Sequence, residues 1–181
     1  RRPMANPLSR TWTMRLLFLA LGLFVIFLAL LPLETTPRRW AGPDFLVLLA
    51  VVWTIRRPEY APALSLAALF LLADFLFLRP PGPLTAPMVI AGEFPRRRAL
   101  YLRDATFMTD WLAAAGTIAG IALAYRLLLA IFLVEQVPLG LTLIQVIVTV
   151  AFYPLVVAVC RIAFGLRKAT PGEIDALRRA T

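Results

Sequence analysis

The feature that most limits how this chain can fold is a run of about 20 residues, 14–33, that carries no charge between Arg15 and Glu34. Wound as a helix it reaches about 30 Å, the thickness of a bilayer's hydrocarbon core. Five further apolar runs follow, at 45–55, 61–78, 84–94, 111–134 and 139–164. Together they give a hydrophobic fraction of 61% and a mean hydropathy of +0.81, more apolar surface than a folded domain of 181 residues can hide from water. Lipid is therefore the expected solvent. A cleaved signal peptide would also begin with an apolar run, but this one is long for that role, and residues 32–37 lack a small-x-small cleavage pattern. The run is read as an uncleaved span.

Charge then orients the chain. Lys plus Arg number 19 against 10 Asp plus Glu, a net charge of +9. In a soluble protein this surplus would suggest nucleic acid, but here the basic residues stand in short groups between apolar runs. Six spans with both termini cytoplasmic put fifteen basic residues inside and three outside. If the two short runs, 45–55 and 84–94, are re-entrant, four spans give fourteen against four. Both arrangements obey the positive-inside rule and keep the termini cytoplasmic. The expected architecture is an all-α membrane protein, one polytopic domain over 1–168, with six transmembrane helices of which two are short. A surface-lying tail helix at 169–181 is announced by the capping box of Thr170 and Glu173 with Pro171 at its first position.

The scarce residues exclude most catalysis. There is no histidine, the cysteine count is one (Cys160), and serine occurs only at Ser9 and Ser65. Zinc sites of the Cys/His type, Ser-His hydrolases and disulfides have no residues to build them. An intramembrane aspartyl protease needs two carboxylates at depth, and only Asp74 qualifies. No enzyme, cofactor or metal is expected.

Asp74 and Arg126 are the two charges placed at membrane depth, where each costs about 2.5–3.5 kcal/mol and faces protein or water. Ala63, Ala67 and Leu71 share a helical stripe with Asp74, as Ala115, Ala119 and Ala122 do with Arg126. Two readings follow: an ion pair inside the bundle, or a hydrated Asp74 near the rim with Arg126 snorkelling. In the fifth run, Gly116, Gly120 and Ala124 form a small-residue ridge, suited either to packing within the chain or to a partner's transmembrane helix. Pro154 frees the carbonyl of Val150 in the sixth run, and Tyr153 beside it carries a hydroxyl.

In sequence order these features resemble the rod shape-determining membrane protein family MreD of the bacterial elongation machinery. The carrying residues are Gly42, Pro43 and Asp44 before the second run, Trp53 near its end, and Arg57 and Pro58 at its exit. Leu71, Leu72, Ala73 and Asp74 follow, then Tyr153 and Pro154 with Arg161, Arg167 and Lys168 behind. The chain departs from that pattern in having Leu71, Ala73 and Thr85 where glycines are usual. The resemblance implies a non-enzymatic bacterial inner-membrane scaffold, similar in fold to the substrate-binding component of energy-coupling-factor transporters. It implies binding to the bitopic protein MreC and, through it, to MreB and the glycan polymerase and transpeptidase pair. Through that complex the chain would help regulate peptidoglycan synthesis and rod shape. The basic inner loops suit an anionic leaflet, so anionic lipids are further expected partners. A different class, a small-molecule-binding subunit of a vitamin or metal transporter, follows from the same fold. Topology is directly testable: a cysteine placed at Arg79 is labelled by an impermeant thiol reagent from outside with six spans, and only from the cytoplasm with four.

Overall fold

The computed structural model describes residues 7–31, 42–98 and 106–166. Within them the chain forms six helices and no strand: α1 (Pro7–Leu30), α2 (Phe45–Arg56), α3 (Ala63–Leu76), α4 (Thr85–Arg98), α5 (Phe107–Ile131) and α6 (Leu139–Phe164). Each predicted run overlaps one helix. The tail segment 169–181 lies outside the described residues. Three helical stretches are long and apolar enough to cross a membrane: Arg10–Leu30, Phe107–Ile131 and Leu139–Phe164. Their outward faces carry large apolar side chains, among them Leu123, Ile131 and Ile162, each more than half exposed. A belt of that kind is stable only against lipid or a partner helix.

The short second run is the centre of the molecule. Every residue from Leu46 to Ile55 is buried, and α2 packs against α1, α4, α5 and α6. A helix apolar all round must be enclosed by other helices. Its ends are tied by polar contacts that do not intrude on its middle. Asp44 caps it as the sequence predicts, its carboxylate accepting from the Val47 N–H at 3.1 Å. The Asp44 N–H donates to Thr149 Oγ1 of α6 at 2.9 Å, and Thr149 Oγ1 donates to the Gln145 carbonyl at 2.6 Å. At the other end the Arg57 guanidinium meets Glu59 at 3.1 Å and lies over the Tyr60 ring, while Arg15 of α1 donates to the Glu59 carbonyl at 3.0 Å. Pro58 opens that turn.

Boundaries move where helix chemistry outweighs hydropathy. α1 and α5 start earlier than their apolar runs, at Pro7 and Phe107, because polar residues continue a helix once lipid is left behind. α3 and α5 stop sooner than predicted, and both stop in the same way. Leu78 and Leu133 take left-handed backbones, with φ of 54° and 55°, and the next N–H reaches back to Asp74 and Leu129 carbonyls respectively. This is the Schellman arrangement, usually made by glycine. Both leucine side chains are more than nine-tenths exposed, so the strained cap also keeps an apolar group outside the bundle. Pro87 lies in the first turn of α4, where a missing N–H costs no hydrogen bond.

Close approach inside the bundle depends on other glycines than those the sequence singles out. A Cβ at Gly22 of α1 would run into Leu69 of α3, and one at Gly92 of α4 would stand 2.6 Å from Leu66. Trp53 is fully buried between Phe18 and Tyr60, with ring centroids 5.5 and 6.3 Å away. Truncating it opens a large apolar void at the hub. Trp53→Ala is expected to cost about 3–5 kcal/mol, read by denaturant titration of the detergent-solubilised protein.

Candidate functional site

At 12 residues, α2 is less than half the 26 of α6, and its N-terminus sits beside Thr149, about ten residues into that helix. The unfilled height above α2 becomes a vestibule. One part is a cavity of about 310 Å³ walled by α5, α6 and the connections before α4 and after α5. Its polar lining includes Asp44, Arg79, Tyr125, Arg126, Gln136 and Gln145. It adjoins a broad apolar cleft of about 1690 Å³ between α1 and α6, floored by Phe45, Leu46 and Leu49. Asp44, Arg79, Leu84, Val137, Thr142 and Gln145 line both. The C-terminal ends of α1, α3 and α5 and the N-terminal ends of α2 and α6 meet around this space.

Asp74 is wholly buried at the end of α3. One carboxylate oxygen accepts from the Gly82 N–H at 3.1 Å and from Thr85 Oγ1 at 3.0 Å, so the side chain spans the tight connection to α4. The other oxygen is buried without a hydrogen-bond partner. Arg126 serves the next connection in the same manner. Its guanidinium donates to the Val137 carbonyl at 2.9 Å and to Thr142 Oγ1 at 2.8 Å, and Gln136 Nε2 donates to the Arg126 carbonyl at 3.0 Å.

The Asp74–Arg126 ion pair read from the sequence does not form; this corrects that expectation. Each charge finds acceptors or donors in the turn that follows its own helix, which leaves no need to bring two desolvated ions together. Nor is Asp74 hydrated at a rim, since it is fully enclosed.

The remaining predicted positions fall into three places. Pro43, Asp44 and Trp53 belong to the two ends of α2, and Arg57 and Pro58 to the turn behind it. The carbonyl of Val150, freed by Pro154, is taken by the Trp111 indole N–H of α5 at 3.0 Å, while the Tyr153 hydroxyl beside it is buried without a hydrogen-bond partner. Tyr153 points inward and is fully buried, while Pro154 faces out. Gly116 and Gly120 lie on the outside of α5, where an added Cβ would meet nothing within 4 Å. Of the two readings of that ridge, packing within the described chain is the one the geometry removes. Thr149, Gln145 and Trp111 carry much of the site and drew no notice in the sequence, where Arg79 served only as a marker of topology. Their types are ordinary, and only spatial convergence distinguishes them.

Because the two charges act in separate turns, their effects should add. Asp74→Asn and Arg126→Gln are expected to show a coupling below about 0.5 kcal/mol in a double-mutant cycle of unfolding, whereas a direct pair would exceed it. Among the described residues no group of three or more His, Cys, Asp or Glu side chains is placed to hold a metal ion. Compared with protein-family models, curated proteins and solved structures, the chain matches none.

Proposed function

We propose that this chain is a non-enzymatic scaffold subunit of the bacterial cell-wall elongation complex. It would cross the inner membrane six times with both termini cytoplasmic and hold the bitopic protein MreC. Through MreC it would engage MreB and the polymerase and transpeptidase pair. The observation that carries this reading is the outer face of α5. Leu112, Gly116, Gly120, Leu123, Leu127 and Ile131 follow helical spacing on that face and are exposed. The two glycines make a shallow floor and the leucines its walls, the surface on which a second transmembrane helix can bring its backbone close. Inside lipid such a notch gains from van der Waals contact with a helix more than from loosely ordered acyl chains. Asp44, Asp74 and Arg126 hold the cap and turns of the bundle, which accords with an organising role. The MreD-like positions at both ends of α2 serve the hub that fixes where α5 stands.

The test is affinity purification of the tagged, full-length protein from membranes in mild detergent. The wild type is expected to recover MreC and, with it, the wall-synthesis pair. Gly116→Leu with Gly120→Leu places Cβ atoms where no described residue lies within 4 Å, so folding and monodispersity should persist while MreC recovery falls about fivefold or more. A wild type that recovers no MreC overturns the scaffold reading, and stoichiometric capture of a vitamin would favour a transporter-type binding subunit. Undiminished recovery by the double variant would move the contact off α5.

A further inference from the structure

The vestibule above α2 is amphipathic. Its apolar part is lined by Phe24 and Leu28 of α1, Leu76 of α3, and Leu141 and Val156 of α6. Its polar part adjoins this cleft through Arg79, Thr142 and Gln145. The Asp44 carboxylate is engaged with the first turn of α2, and Arg126 with the turn before α6. Arg79 is different. Its guanidinium lies over the Phe77 ring, 5.1 Å from the centroid, and makes no hydrogen bond or ion pair with any described residue. Among the described residues, a guanidinium with no ion pair thus stands where an apolar cleft meets a polar cavity of ligand size, with Glu135 also in that cavity's lining.

Water alone does not suit the apolar part, whose walls offer it almost no partners. A partner's transmembrane helix would fill the apolar part but would set hydrocarbon side chains against Arg79 and Gln145, leaving both without acceptors. A molecule with phosphate oxygens at one end and a hydrocarbon chain at the other satisfies both parts together, because Arg79, exposed at the mouth, can bond phosphate oxygens bidentately while the chain fills the apolar cleft.

We propose that the vestibule binds one phospholipid, its phosphate held by Arg79 at the mouth of the polar cavity and an acyl chain lying in the cleft between α1 and α6. The site is separate from the α5 ridge and does not depend on the scaffold reading. Native mass spectrometry of the full chain in detergent, titrated with palmitoyl-oleoyl phosphatidylglycerol, tests it. The wild type should retain one lipid per chain. Arg79→Gln should weaken binding about tenfold or more, and Arg79→Lys should restore most of it. Leu141→Trp, which fills the cleft without changing charge, should cause a comparable loss. Leu28→Trp serves the same purpose from the opposite wall should Leu141→Trp fail to stay monodisperse. Arg161→Gln, an exposed charge in the last turn of α6, should bind as wild type does. The proposal is overturned if Arg79→Gln and the tryptophan variants hold the lipid as tightly as wild type. It is also overturned if Arg161→Gln loses as much, which would indicate a general charged annulus, or if millimolar inorganic phosphate displaces the lipid fully.

Discussion

The structure depends on enclosing one short helix. α2 has no polar face, so protein must surround it on every side, and helices α1, α4, α5 and α6 take their positions by covering it. Burial of that single element, at about 25 cal/mol per Å² of apolar surface removed from water or by packing against protein rather than lipid, ties together segments far apart in the chain. The same shortness has a second effect. A hub of 12 residues inside walls of 24 to 26 leaves height unfilled at one end, and that height is the vestibule.

Polar groups in this apolar setting are answered locally. Asp74 secures the connection from α3 to α4, Arg126 the connection from α5 to α6, and Asp44 the first turn of α2. Trp111 supplies the hydrogen bond that Pro154 denies to Val150. Each arrangement removes an unsatisfied donor or acceptor with a neighbour one connection or one helix away. An ion pair across the bundle would instead require two charges to be desolvated and then held in good geometry, a cost that local turns avoid. The charges are thus structural fasteners, and the surfaces left for function are the α5 ridge and the vestibule.

Those two surfaces differ in chemistry. The ridge is shallow and apolar, suited to another helix, whereas the vestibule sets a guanidinium that no described residue pairs beside a hydrocarbon cleft, suited to an amphiphile. On the readings proposed, the ridge would join a protein partner on one side and the vestibule a lipid at one end. Among the described residues neither surface gathers three or more His, Cys, Asp or Glu side chains placed to hold a metal ion.

Much of the helical plan was legible in the residues alone. The apolar runs located all six helices, Asp44 announced its cap, and α6 coincides with its predicted run from Leu139 to Phe164. The scarcity of histidine, serine and cysteine leaves no residues for the catalytic sets built on them. The stops at Leu78 and Leu133 were not legible, because the left-handed caps there lack the glycine that usually marks them. The sequence by itself determined the apolar solvent and the places of the six described helices, since hydropathy and helix length are properties of contiguous residues. Only the tertiary structure decided that α2 is the enclosed hub, that Asp74 and Arg126 do not meet, that the glycines of α5 face outward and that Arg79 borders a cavity. Those are facts of direction and depth, set by which helix packs against which, and periodicity along one chain does not encode them.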